Sequence, residues 1–364
     1  MSRPVPAIAF SVSFLLPALI VIGALEGGWW LALPALYGWI ATSLLDGLLG
    51  REPEGGASPE FTARALAWRR AVVAAWVPVQ IALIAFCLAV GVSGWLSALE
   101  TVALMAGLGI ATGGVGITYA HELVHSRARW ERRLGRLLLA SVGYGHFEIE
   151  HVAGHHVHVG TPEDPVTARY SEGFWRFLPR AVIGTAVSGW EIAARRMRRL
   201  DRPVLSPANP WAGYLALAAG FAAGACAIGG WLGLGLWALQ AVFAILQLEA
   251  VNYIEHYGLV RLRRDDGRYE PQRAHHSWNA GQRMTNWLLI NLQLHSDHHA
   301  RPDRRYPELR SLPETEAPQL PFGYPLMVLI AMLPPLWFRL MNPRVKAWRK
   351  RHYPEVEDWA FARR

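Results

Sequence analysis

Nine of the fourteen histidines in this chain fall into three tight boxes and one outlier. The boxes read His121-Glu122-Leu123-Val124-His125, Glu150-His151-Val152-Ala153-Gly154-His155-His156 and Leu292-Gln293-Leu294-His295-Ser296-Asp297-His298-His299. The outlier is His256, within Asn252-Tyr253-Ile254-Glu255-His256-Tyr257-Gly258. Neutral imidazole is the commonest side-chain ligand of a catalytic metal, and nine of them exceed what one tetrahedral ion accepts. The natural reading is a pair of redox-capable metals.

Spacing supports that reading. His121 and His125 stand four residues apart and project from one helical face. His295, His298 and His299 combine spacings of three and four, which gathers the rings if the segment is helical. In the second box His151 precedes His155 by four with His156 beside it, so that one segment can reach both metals. A carboxylate accompanies every group: Glu122, Glu150, Glu255 and Asp297. Each is expected to accept the second N–H of a ligating ring, fixing its tautomer and raising its basicity. His146, His158, His275, His276 and His352 lack the repeated pairing and are left outside the set.

His-Glu-x-x-His is also the zinc metalloprotease signature, with Glu122 as general base. A protease would leave seven clustered histidines unused and would want a carboxylate ligand in a later span. Leu45-Asp46-Gly47 precedes the box, and the later spans offer no equivalent.

The elements that must hold these boxes are long and apolar. The chain has 364 residues, is 52% hydrophobic and contains seventeen tryptophans. Val5 to Leu25, Trp29 to Leu45, Ala71 to Val92, Val102 to Tyr119, Trp211 to Ile228 and Trp231 to Ile254 each approach or exceed the roughly 17 to 25 residues that cross a hydrocarbon core. The expected fold is an all-α membrane protein, a bundle of six transmembrane helices forming one domain over residues 1–364. Pro17 and Pro78 interrupt two spans, which neighbouring helices can accommodate in lipid. The first run is long for a signal-peptide core and no small-x-small cleavage site follows it, so it is read as a span.

No Lys or Arg occurs from Pro4 to Gly50, from Ala71 to Ser126 or from Pro203 to Val260. Each window holds two spans and the turn between them. Glu26-Gly27-Gly28, Ser93 to Glu100 and Gly229-Gly230 therefore face outward, and the arginine-bearing segments and both termini face the cytoplasm. Residues 126–210 and 257–364 form a histidine-rich cytoplasmic cap. Within it Leu134 to Phe147 and Met284 to Leu294 are apolar but too short to span, and Tyr324 to Leu340, broken by Pro325, Pro334 and Pro335, reads as interfacial or re-entrant. The net charge of +8 reflects orientation and anionic lipid rather than nucleic acid. Cys87 and Cys226 lie within spans and offer neither a disulfide framework nor a Cys-x-x-Cys site.

The boxes and their neighbours closely resemble the alkane monooxygenases of the integral-membrane, histidine-rich non-haem di-iron superfamily that includes the membrane fatty-acid desaturases. The resemblance covers most of the chain. It includes Leu45-Asp46-Gly47-Leu48-Leu49-Gly50, Gly143-Tyr144-Gly145-His146-Phe147, Thr161-Pro162-Glu163-Asp164-Pro165, Asn252 to Leu259, His276-Ser277-Trp278-Asn279 and Pro334-Pro335-Leu336-Trp337-Phe338-Arg339. It implies nine iron-binding histidines: His121, His125, His151, His155, His156, His256, His295, His298 and His299. Ser126 stands where the family usually has Lys, and Leu294 where Arg is common. Neither departure removes a ligand, but both leave room for an altered substrate range or donor contact.

What the resemblance implies is oxygen-dependent terminal hydroxylation of n-alkanes at two non-haem irons, in the inner membrane of a bacterium. Substrate would arrive from the bilayer. Electrons must come from outside, because the chain has no flavin or nicotinamide fingerprint and no cysteines for an iron–sulfur centre. The family implies a separate rubredoxin with its reductase, and the residues up to Arg364 carry no fused rubredoxin. Arg301, Arg304 and Arg305 are candidate docking residues, and Trp30, Tyr37 and Trp39 are candidates for limiting chain length. Rival readings are a methyl hydroxylase of aromatic hydrocarbons or a lipid desaturase on the same scaffold, and a non-catalytic metal-binding membrane protein.

Overall fold

The computed structural model describes residues 6–55 and 61–360. Val5, where the first apolar run begins, and the last four residues of the cap lie outside them. Among the described residues the chain is all-helical, with only isolated β-bridges. Five helical stretches are long and apolar enough to cross a membrane: α1 (Ala7–Glu26), α2 (Gly28–Leu49), α3 (Ala63–Val92), α4 (Ala98–Val124) and a long segment, α8 (Pro210–His256).

The last of these is two of the expected runs joined. Gly229 and Gly230 leave the helical region, Gly230 at φ 58°. A Cβ on Gly233 would collide with the carbonyl of Ala225. Eight residues of continuous helix would separate these positions by about 12 Å along the axis, so the chain doubles back into a hairpin with arms 210–228 and 231–256.

Most helices extend beyond the apolar runs, because their polar ends are capped. The Thr62 side chain caps α3, which takes in Arg64, Arg69 and Arg70. Ser97 and Glu100 form a reciprocal capping box on α4, and Glu100 also accepts the N–H of Gly28 at 2.8 Å. Gly229 lies against Val92. The three turns without basic residues are thus gathered at one end of the bundle, the end opposite His121 and His256.

At the centre stands α4, most of whose apolar length is buried. A Cβ on Gly113 would sit 2.5 to 2.6 Å from the Ala244 backbone, so the second arm of α8 packs on α4 at backbone contact. One buried polar network crosses the bundle. Gln80 accepts from Trp76 Nε1 at 2.7 Å and donates to Ser141, whose carbonyl also accepts from Gln240.

The cap is built from shorter pieces: α5 (Arg129–Ser141), the continuous run α6 (Phe147–Glu150, His151–His155 and His156–His158), α7 (Phe174–Arg199), α9 (Arg283–Leu288), α10 (His295–Ala300), α11 (Tyr324–Ala331) and α12 (Pro334–His352). The two short helices expected here are both shorter than the apolar runs. Positive φ at Gly143 ends the first after Ser141, and positive φ at Ile290 and Asn291 ends the second after Leu288. Tyr324 to Leu340 is broken as its prolines require, with α11 and α12 meeting at a bend of 119°.

Candidate metal centre

The bundle end and the cap bring all nine clustered histidines together, in two adjacent nests. One contains His121, His125, His151, His156 and His298, and the other His155, His256, His295 and His299. Within each nest the nitrogens offered lie within 4.8 Å of one another. In the first, His151 Nε2 is 3.1 Å from Nε2 of both His125 and His156, and His298 Nε2 is 3.2 Å from that of His156. In the second, His299 Nε2 is 2.9 Å from His295 Nε2 and 3.2 Å from His155 Nε2, and His295 Nε2 is 3.2 Å from His256 Nε2.

Hydrogen bonding cannot satisfy such an arrangement, because a neutral imidazole has one N–H and these nitrogens meet two partners at once. A metal can. Ligands at about 2.1 Å from one ion are separated by roughly 3.0 to 3.4 Å for right-angled to tetrahedral geometry. Burial, reinforced by neighbouring imidazoles, holds His151, His156, His295, His298 and His299 well below the ordinary histidine range. They are therefore neutral, the form a metal requires. The donor set fits a metal centre with two positions.

The way each box divides follows from local backbone geometry. His151–His155 is a wide π-type turn, in which residues five apart align rather than residues four apart. His151 accordingly shares a nest with His156, while His155 enters the other. On α10 the ordinary i,i+4 relation keeps His295 with His299, and His298 turns to the first nest.

The four carboxylates expected beside the histidines mostly meet other partners. Glu122 accepts from Arg305 and from the N–H of Tyr306. Asp297 accepts from Arg304 through both oxygens, at 2.7 and 2.8 Å, and from the N–H of Arg310. Glu150 accepts from the Ser188 hydroxyl. Charge explains the first two, since a guanidinium is a stronger donor than an imidazole N–H. Glu255 does meet a histidine, but its oxygen lies 3.2 Å from Nε2 of His295, the nitrogen facing the nest.

The carboxylate that supports a ring from behind is Asp164, which the residue pattern of the boxes did not single out. Its Oδ2 takes the Nδ1 side of His155 at 3.0 Å and a hydrogen bond from Thr167 at 2.6 Å. Burial raises its pKa, but His155 and these hydrogen bonds outweigh that and hold it below the usual value. The signal was present in Thr161-Pro162-Glu163-Asp164-Pro165, a turn that folds back on the second box.

Ser126 hydrogen-bonds Glu131 and accepts from Arg305 at 3.0 Å, so it ties α4 to the segment after α10. Leu294 is buried. Arg304 and Arg305 are engaged in these ion pairs, and Arg301 is exposed. Trp30 stacks on Trp29, the Tyr37 hydroxyl donates to the carbonyl of Val12, and Trp39 packs half-buried on the core.

The five other histidines stay outside both nests. His146 stacks on Trp211, and His158 pairs with Glu163. His275, His276 and Glu270 form a third cluster of potential ligands, but His276 already uses both nitrogens, accepting from the N–H of Arg273 and bonding Tyr353.

Between the nests and the bundle interior lies a narrow cavity of about 30 Å³. His121, His151, His295 and Glu255 line its metal side, and Phe147, Leu248 and Ile117 are among its apolar walls.

A fatty acid desaturase family model matches residues 93–331. The chain is 40% identical over 330 residues to alkane 1-monooxygenase 2 of Pseudomonas aeruginosa, covering 88% of this chain and 84% of the relative. It is 38% identical over 352 residues to an alkane 1-monooxygenase of Ectopseudomonas oleovorans, covering 93% and 85%. A xylene/toluene monooxygenase hydroxylase component of Pseudomonas putida is 32% identical over 235 residues, covering 64% and 61%.

Proposed function

We infer the reaction from the family to which the chain belongs, the fatty acid desaturases, and from its alkane 1-monooxygenase relatives within it. The chain is an alkane 1-monooxygenase. It inserts one oxygen atom of O2 into a terminal C–H bond of an n-alkane, probed first with medium chain lengths, and reduces the other to water with two electrons and two protons. The observation that carries this reading is the cavity, whose apolar walls end on three of the nested histidines.

In our assignment His121, His125, His151, His156 and His298 hold one iron and His155, His256, His295 and His299 the other. Iron supplies the accessible redox states needed to break a methyl C–H bond, which zinc lacks. The protein's share is placement. Asp164 orients His155, and Arg304 and Arg305 fix α10 against α4 through Asp297 and Glu122. Phe147, Ile117 and Leu248 exclude water and lead the alkyl chain end to the nests.

The bundle crosses the inner membrane six times, counting both arms of α8, with both termini and the cap in the cytoplasm. Exposed Trp29, Trp95 and Trp231 at the outer turns suit the opposite headgroup layer. A separate rubredoxin, reduced by its own reductase, delivers the electrons to the cap.

Expression in cells supplied with a rubredoxin system, followed by gas chromatography of products from octane, hexadecane and xylene under 18O2, tests the reaction. Labelled 1-octanol or 1-hexadecanol is the expected product. Exclusive oxidation of the xylene methyl group would favour the second reading, to which the 32% identical xylene/toluene relative points.

A further inference from the structure

We infer that Gly114 sets the width of the passage by which the alkyl chain reaches the metal centre, an inference that rests on the alkane reading above. Three neighbouring glycines on α4 differ in what a side chain would meet. At Gly113 a Cβ would collide with the Ala244 backbone, and at Gly116 with the side-chain amide of Gln80. At Gly114 it would meet nothing within 4 Å.

Packing therefore accounts for Gly113 and Gly116 but not for Gly114. Nor does the backbone, since Gly114 has no positive φ and a glycine weakens a helix interior relative to alanine. What the missing side chain leaves free is the cavity itself, which Gly114 lines together with His121, two helical turns further on, and with Leu248 and Phe147 across the gap. At about 30 Å³ the cavity has room for only one or two water-sized groups. A single methyl at position 114 consumes a large part of that space, and the branched side chain of valine closes it.

Gly114 thus acts on substrate passage without touching the histidines. The consequence is an unusual combination in one variant: a helix at least as stable, a metal centre left intact, and an obstructed route to it.

The test uses the full-length protein in lipid nanodiscs, comparing wild type with Gly114→Ala and Gly114→Val. Gly220→Ala is the control, on the first arm of α8 with no atom near its would-be Cβ. Three quantities are measured: iron content, the unfolding temperature, and photolabelling of cavity-lining peptides by a medium-chain alkyl diazirine, read by mass spectrometry. Octane turnover follows with an added electron donor.

Gly114→Val is expected to keep wild-type iron and unfolding temperature, to lose the label on the peptides carrying Phe147 and Leu248, and to hydroxylate octane about tenfold or more slowly, on the scale of a small misplacement at a reacting centre. Gly114→Ala should fall between it and wild type, and Gly220→Ala should match wild type. Undiminished labelling in Gly114→Val, or loss of iron in step with loss of activity, overturns the inference, as does a wild type that takes no label there. Labelling needs neither oxygen nor electrons. A wild-type protein that is labelled yet inactive on every alkane refutes the reaction and leaves the passage standing.

Discussion

Oδ2 of Asp164 lies 3.0 Å from Nδ1 of His155, whose opposite nitrogen faces His299 across the second nest at 3.2 Å. The carboxylate leaves Nε2 as the lone-pair donor and fixes the plane of the ring. Replacement by Ala removes that support without removing a ligand. Asp164→Ala should lower affinity for the metal of the second nest about 10- to 100-fold, measured by competition with a chelator, while the first nest retains its metal.

The division five to four makes a second expectation specific. His256 is one of only four donors in its nest, and it belongs to none of the three boxes. His256→Ala should cost about one metal ion per chain by elemental analysis, with the other retained, where the first nest keeps all its imidazoles. His352→Ala, outside both nests, should retain both ions.

Gly113 gives the counterpart to its neighbour. Its would-be Cβ lies 2.5 to 2.6 Å from the Ala244 backbone, so Gly113→Ala must push α4 away from the arm that carries His256. Overpacking of this kind costs about 1 to 3 kcal/mol. The expected result is a lower unfolding temperature together with loss of metal, because the two helices each carry a histidine of a different nest.

Among the cap histidines, His275 offers a pH test away from the two nests. Burial first, and then the nearby His276 and His352, push its pKa down to about 3. In the unfolded chain it takes up a proton near pH 6.5, whereas the folded protein keeps it neutral. Its contribution is therefore complete above about pH 6.5 and diminishes as the pH falls below that value. The unfolding temperature should drop between pH 6.5 and 5, and His275→Gln should flatten that slope.

Most of the helical framework could be read from the chain, because a hydrocarbon core demands long apolar runs and those runs are plain. Composition misses the points where backbone conformation interrupts an apolar run. The apolar runs ending at Phe147 and Leu294 gave no sign that Gly143, Ile290 and Asn291 would turn left-handed. The 26-residue α7, half-buried and strongly basic at its end, is not marked by composition, since its core face of Phe177, Ala181 and Thr185 is too small to stand out.

By itself the sequence marked out the eight histidines of the three boxes, because residue type and close spacing along a helix are local properties, whereas His256 stood apart from them. Hydropathy, likewise local, marked out the long apolar helices. The tertiary structure alone decided how the nine divide, since the wide turn at His151–His155 sends adjacent rings to different nests. It also decided that Asp164, and not the four carboxylates nearest in sequence, supports a ring from behind. A supporting contact depends on which donor reaches a carboxylate first in space. Arg304 and Arg305 reach Asp297 and Glu122 through folds of the chain that no spacing along it records.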